Sequence, residues 1–372
     1  MLCVGINLVF LTPGEQGGME VYARELLPRL ARIDDLELIA FVGRNAQGGA
    51  WGDGVREELV DVDASDRKQW VIGEQWHLPR QAAAAGCDVV HSLASTAPLR
   101  GSFMRVTTIH DLNYKLVPDT HSGLRGLGMR VLVPAAARRS HRIIVDAAST
   151  AHDLTHHLGT PAEKIDVVPL AATQRSADSP TTEAVLRRRL DISDRPVLLT
   201  FSAKRPHKNL MRLIEAHAQL AEPRPVLVLP GYATPHEDEL RARVSALGTA
   251  ADVRFMGWVS DEDREGLYAL ATAFVFPSLY EGFGLPPLEA MARGVPVITT
   301  TRGSLAEVVG DAALTVDPDS VKELAEAMAV LLADHSERER LRAAGLQQAA
   351  KFSWERTAEL TAASYRRSAA DR

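Results

Sequence analysis

Short apolar runs alternate along the whole chain with longer stretches in which apolar positions recur every three or four residues. The runs read as strands buried on both faces and the periodic stretches as helices packed over them, an order that predicts doubly wound parallel sheets. In the first half the expected strands cover 4–10, 36–42, 89–92, 105–109 and 142–145, with helices over 19–32, 123–139 and 150–158. Pro28 is expected to kink or end the first helix, since its ring removes one N–H and crowds the preceding turn. A polar stretch without apolar period, 173–180, opens a linker that extends to 194. A second series follows, with strands over 196–202, 226–229, 253–256, 274–276, 295–299 and 313–316, and a last helix over about 353–365.

That series makes two α/β domains, and 372 residues give each room for its own core. The expected boundaries are 1–172 for the first domain, 173–194 for the linker and 195–352 for the second. Lys plus Arg number 42 against 48 Asp plus Glu, a net charge of −6, which excludes a general basic field for nucleic acid. Two cysteines, Cys3 and Cys87, offer neither a disulfide framework nor a metal set, and point to a reducing cytosol. The apolar opening has no basic flank and is cut short by Thr12-Pro13-Gly14, so it reads as a first strand. No apolar run approaches the length of a membrane span.

The stretch 274–299 carries the most chemistry. Phe274-Val275-Phe276 ends at Pro277, Gly282 and Gly284 open a loop, Pro286 and Pro287 start a helix, and Gly294 stops it before Val295-Pro296-Val297-Ile298. N–H groups around Leu285 would face an anion, aided by the helix dipole. Glu281 lies in the loop and Glu289 in the helix's first turn, so the two can reach opposite ends of one ligand. Two glutamates at this spacing alone ordinarily belong to a solvated face; the glycine loop, paired prolines and flanking strands in one register change that.

Three further loops follow expected strands, where ligands of open parallel sheets gather. Gly14-Glu15-Gln16-Gly17-Gly18 would let backbone approach a phosphate or sugar, or is an ordinary βα turn. Thr107-Thr108-Ile109 runs into His110-Asp111, where a histidine could hydrogen-bond a hydroxyl and stabilise charge, or serve structure alone. Lys204-Arg205-Pro206-His207-Lys208-Asn209 places cations where a leaving diphosphate would gain charge, though loop cations are often merely solvated. Ser260 with Asp263 reads as a helix start, so Asp261 and Asp263 are capping charges. Trp70 and Trp76 read first as core residues, and second, with His77, His91 and Ser92, as a sugar-stacking surface.

Glu281-Gly282-Phe283-Gly284-Leu285-Pro286-Pro287-Leu288-Glu289 resembles the E-x7-E motif of retaining group 1 glycosyltransferases, family 4 (GT4), and the resemblance extends over nearly the whole chain. It implies a GT-B fold: two facing Rossmann-like domains with an interdomain cleft, the final helix, introduced by Phe352-Ser353-Trp354-Glu355, crossing back onto the first. It implies donor-sugar contacts from Glu281 and His110, ribose contacts from Glu289, and diphosphate contacts from Lys208 and the backbone of Gly282, Phe283, Gly284 and Leu285. Gly17 and Gly18 would be the family's glycine loop, and backbone near Val259 would hold the nucleobase. The family's usual arginine is absent near Ser202 or Ala203, and Arg205 is its expected substitute. His110, Glu281 and Lys208 are then the expected catalytic set, with Asp111, Trp76 and His91 toward the acceptor.

Asp61-Val62-Asp63 matches the metal-binding D-x-D of the other major glycosyltransferase fold but lacks a nucleotide loop beside it. No metal and no cofactor are expected. The implied partners are a nucleotide-sugar donor, mannose or rhamnose type favoured, and a hydroxyl acceptor such as a saccharide, lipid-linked glycan or natural product. The implied location is the cytoplasm; a lipid-linked acceptor would add peripheral contact with the inner membrane face. Two other readings stay open: another GT-B enzyme (a nucleotide-sugar epimerase or phosphorylase), or a non-catalytic sugar-nucleotide-binding subunit.

Overall fold

In the computed structural model the described residues are 1–14, 17–117, 123–173 and 179–370, with side chains of 123–127 excluded. The chain divides into two compact units, Met1–Leu170 with Ser353–Arg372, and Ala171–Phe352. Each is built on one all-parallel sheet.

The first unit contains β1 (Leu2–Leu8), β2 (Leu36–Val42), β3 (Val55–Leu59), β4 (Val89–Ser92), β5 (Met104–Thr108), β6 (Arg142–Val145) and β7 (Ile165–Val167), in the spatial order β3-β2-β1-β4-β5-β6-β7. The second contains β8 (Val197–Leu199), β9 (Val226–Leu229), β10 (Val253–Phe255), β11 (Ala273–Phe276), β12 (Val297–Thr300) and β13 (Ala313–Val316), ordered β10-β9-β8-β11-β12-β13. Both orders reverse once, between β1 and β4 and between β8 and β11. At such a reversal the loops leaving neighbouring strands diverge and open a crevice at the strand ends.

The central strands are apolar because helices cover both faces. Val4, Ile6 and Leu8 of β1 and all of β8 are wholly buried. The two strands absent from the sequence reading, β3 and β7, are both sheet edges. Val-Arg-Glu-Glu-Leu in β3 is half-exposed and charged, as an edge must be to avoid pairing with another chain.

Elsewhere the differences are local. The helix Gly18–Leu30 passes through Pro28 and ends two residues later, so any break the ring makes falls in its last turn. The stretch expected as linker contains the helix Glu183–Leu190, which buries Leu186 and Leu190. Thr181 before it donates to Asp263 at 2.7 Å. Three consecutive arginines in its last turn hid this two-turn helix from an apolar count. Residues 174–178 of that stretch lie outside the described residues.

The last helix, Trp354–Ala370, belongs to the first unit and buries Trp354, Ala358, Ala362 and Tyr365 there. Among the described residues no helix is long and apolar enough to cross a membrane.

Candidate active site

In the second unit the switch point lies between β8 and β11, and two loops leave it. After β8 the chain reaches the short turn Pro206–Lys208 and then Asn209, held at φ 59°. Asn209 tolerates that left-handed conformation because its amide is anchored, donating to the carbonyls of Pro277 (3.1 Å) and Pro318 (2.8 Å). The anchor ties the first loop to the one after β11. Leu279 N–H donates to the His207 carbonyl at 2.8 Å, and the Ser278 hydroxyl oxygen lies 3.1 Å from the same atom.

Tied together, the loops bring Lys208 Nζ to 2.5 Å from Glu281 Oε1, and the Ser278 hydroxyl donates to the same oxygen at 2.6 Å. The two charged side chains are only 17% and 13% exposed, so solvent screens them weakly. Ser304, fully buried, holds the Glu281 loop from behind: its hydroxyl donates to the carbonyls of Glu281 (3.0 Å) and Phe283 (2.7 Å). Gly303, at φ 62°, leaves no room for a side chain, since a Cβ would sit 2.5 Å from the Glu281 carbonyl oxygen. Gly282, Phe283 and Gly284 are buried beneath this loop.

The helix Leu285–Ala292 starts at Gly284, which sits at φ 106° and provides no side-chain cap. The N-terminal N–H groups of this helix therefore face outward with the positive end of the dipole. Because it begins at Leu285, one residue before the prolines, Glu289 stands in its second turn and not its first. Glu289 accepts from Thr173 Oγ1 at 2.5 Å and Tyr268 OH at 3.3 Å, and shares neither partner with Glu281. Arg293, one turn on, forms a bidentate pair with Glu265 at 2.8 and 2.5 Å, the two side chains 4% and 3% exposed.

Of the other loop cations, Arg205 is exposed. Lys204 is wholly buried, donating to the carbonyls of Gly231 (2.6 Å) and Met256 (2.8 Å), and burial pulls its ammonium down to about 8. Ser260 caps the helix Asp261–Leu270 by accepting from the Asp263 N–H, and Val259 before it is half-buried.

In the first unit the glycine loop is described only in part, Glu15 and Gln16 lying outside the described residues. Gly14 N–H donates to Glu20 at 2.7 Å, and a Cβ on Gly17 or Gly18 would meet nothing within 4 Å. His110 follows β5. Its Nδ1 lies 2.7 Å from Asp146 Oδ2 and its Nε2 3.0 Å from the Leu93 carbonyl, with the Tyr22 ring edge-on at 5.2 Å. Burial alone would lower the imidazole's pKa, but the Asp146 carboxylate and the Leu93 carbonyl raise it on balance. Asp111 spends both oxygens on Asn113, at 2.8 and 2.9 Å. Asp61 pairs with Arg44 and Asp63 accepts from Ser65, so each D-x-D carboxylate has a local partner.

Two expectations need correction, one for the acceptor side and one for the core. His91 is not on a surface: it is fully buried, with Nδ1 2.8 Å from Tyr365 OH and Nε2 2.7 Å from Thr108 Oγ1. It links two strands to the last helix, and burial holds its pKa at about 3. The unfolded chain binds a proton there below the ordinary histidine value of 6.5, so stability is complete above that pH and falls as pH drops toward 3. Between pH 7 and 5 this one residue should remove about 2 kcal/mol, measured as the acid-dependent fall in urea midpoint. A His91→Gln variant showing the same fall would refute the assignment.

Trp76 is the second correction, because it is not a core residue. It is 57% exposed, with the Arg80 guanidinium 5.4 Å from its ring centroid, while Trp70 packs partly against the core. The cause is Glu74, which takes the inward face and accepts from Asn7 (3.0 Å) and Thr96 (2.9 Å), turning Trp76 outward.

The residues missed in sequence are Asp146, Ser278 and Ser304. Asp146 and Ser278 stand just past strand ends, the only signal they gave.

Known proteins resemble the chain over both units. The description "Glycosyltransferase Family 4" matches residues 16–172 and "Glycosyl transferases group 1" matches residues 183–348. O-antigen chain mannosyltransferase B of Escherichia coli is 31% identical over 94% of this chain and 96% of its own. D-inositol 3-phosphate glycosyltransferase of Kribbella flavida is 28% identical over 95% and 91%. Among solved structures, sucrose-phosphate synthase from Thermosynechococcus elongatus superposes with a TM-score of 0.80 at 21% identity, covering 99% of both chains. Anabaena HepE, solved with UDP-glucose, gives 0.77 at 20%, covering 98% and 99%. The two parallel-sheet units are those of the GT-B fold, and the chain is a glycosyltransferase of group 1, family 4.

Proposed function

We propose that the chain transfers a hexosyl group, mannose foremost and rhamnose next, from a nucleoside-diphosphate sugar to a hydroxyl acceptor with retention of configuration. The observation that carries this reading is the Lys208–Glu281–Ser278 cluster at the β8/β11 switch point, beside an uncapped helix N-terminus. In this reading Lys208 and Glu281 neutralise each other until the donor arrives. Lys208, Arg205 and the amides of Phe283 to Leu285 then take the diphosphate, while Glu281 accepts from sugar hydroxyls and Glu289 from the ribose. As the glycosidic bond breaks, charge grows on the diphosphate, and preorganised donors stabilise it with little rearrangement. Backbone at Val259 holds the base; Gly17, Gly18 and His110 meet the sugar.

Retention fits a front-face attack in which the donor phosphate takes the acceptor proton, so no protein nucleophile and no cofactor enter. The mannosyltransferase names among the relatives support the sugar, and the UDP-glucose complex of Anabaena HepE supports the donor class. A saccharide or lipid-linked glycan is the acceptor class, the latter adding contact with the inner membrane face in the cytoplasm.

The test is release of nucleoside diphosphate from a panel of GDP, UDP, dTDP and ADP sugars, with and without a mannoside acceptor, and NMR of the product anomer. Release that is equal in both would overturn transfer, and an inverted anomer would overturn retention. Lys208→Ala should keep its fold and lose most of the thermal shift given by the productive nucleoside diphosphate, where a ligand at 100 Kd adds about 2.7 kcal/mol to the intact protein. Equal shifts in both proteins would remove Lys208 from the diphosphate site.

A further inference from the structure

His110 is constrained from both sides. Its Nε2 lies 3.0 Å from the Leu93 carbonyl, which can only accept, so that nitrogen must carry a hydrogen. Its Nδ1 lies 2.7 Å from Asp146 Oδ2, and two lone pairs cannot face each other at that distance. One more proton therefore sits between ring and carboxyl.

Burial of the Asp146 carboxyl raises its own pKa and pulls this proton toward it, while the pairing with the carboxylate raises the His110 pKa; the geometry favours keeping the proton on the ring. Asp146 is 2% exposed and its other oxygen has no hydrogen-bond partner among the described residues. A buried carboxyl so placed costs stability unless a cation compensates it, and among the described residues His110 is the one cation its oxygens reach. Around the ring stand Asp111 beside it, the edge of Tyr22 from the helix Gly18–Leu30, His91 on β4 and Thr150, whose hydroxyl donates to the His110 carbonyl. Asp111 favours a charge there, and a charged His110 in turn helps hold His91 neutral. With both nitrogens protonated and engaged, His110 can attract a negative oxygen through its charge but cannot take a proton.

We propose that Asp146 is a positioning residue for glycosyl transfer: with the Leu93 carbonyl it fixes the His110 ring and keeps both its nitrogens protonated, so that His110 acts as a fixed cation and not as a general base. This rests on the reading in which His110 meets the donor sugar.

The experiment combines ¹⁵N NMR of histidine-labelled protein with pH-dependent kinetics of Asp146→Asn, Asp146→Glu and His110→Gln. In the wild type both ring nitrogens should be protonated at neutral pH; in Asp146→Asn, Nδ1 should lose its proton by accepting from the amide. Turnover of Asp146→Asn should fall roughly 10²-fold, as loss of a preorganised electrostatic contact does, with the alkaline limb of kcat moved to lower pH and donor KM little changed. Asp146→Glu should recover part of kcat. An unprotonated Nδ1 in the wild type overturns the proposal. So does full turnover with an unshifted profile in Asp146→Asn while His110→Gln is impaired. Full turnover in His110→Gln would instead remove the His110 role itself, and Asp146's with it.

Discussion

Glu281→Gln is expected to cut turnover by roughly 10²-fold or more while the protein stays folded, in line with the loss of one preorganised polar contact in the transition state. Glutamine keeps the shape and one acceptor oxygen, so Ser278 and Lys208 retain a partner. What disappears is the charge that balances Lys208, whose Nζ sits 2.5 Å from the carboxylate in a weakly solvated place. In the proposed cycle that carboxylate also receives sugar hydroxyls as positive charge develops at the anomeric carbon. A neutral amide serves the first purpose in part and the second poorly. The effect should therefore appear in kcat more than in donor affinity. Steady-state kinetics beside a thermal melt decide it: unchanged kcat would displace Glu281 from the chemistry, whatever its motif.

Arg293→Ala is expected to destabilise the second unit by about 3–5 kcal/mol, because it breaks the buried bidentate ion pair with Glu265. The guanidinium also donates to the Glu289 carbonyl at 3.2 Å and lies 4.9 Å from the centroid of the Tyr268 ring, which hydrogen-bonds the Glu289 carboxylate. Donor affinity should fall too, since Glu289 loses part of its frame. Urea denaturation measures the first effect and nucleotide titration the second. The paired change Arg293→Met with Glu265→Leu should restore much of the stability, because an apolar pair of similar volume costs little where a broken buried ion pair costs much. A midpoint in Arg293→Ala equal to wild type would mean that Glu265 finds another cation or takes up a proton.

Both sheets were legible from sequence because their central strands are buried on both faces, and an apolar run needs no partner to be recognised. β3 and β7 were not, since charged residues break Val-Arg-Glu-Glu-Leu and Ile-Asp-Val into single apolar positions, as a place at the sheet edge allows. Lys208, Glu281 and Glu289 could be singled out because each stands at a strand end or beside a glycine loop. Their pairings could not. That Glu281 meets Lys208 while Glu289 meets Thr173 depends on Asn209 and Ser304 tying distant loops together, and neither side chain advertises that task. His91 and Trp76 were misread for one reason: polar or apolar character gives no sign of which face a residue takes when a buried carboxylate such as Glu74, or a hydroxyl such as Tyr365, is already on the inside.

The return of the helix Trp354–Ala370 to the first unit also sets an order of events in synthesis. The N-terminal sheet emerges from the ribosome first but lacks the helix that covers His91, with Tyr365 still untranslated, until all of Ala171–Phe352 has been made. The second unit is contiguous and can close while the first waits with an open face. A chain that stops before Trp354 should thus yield a native C-terminal unit joined to an aggregation-prone N-terminal one, the reverse of the usual advantage of being made first.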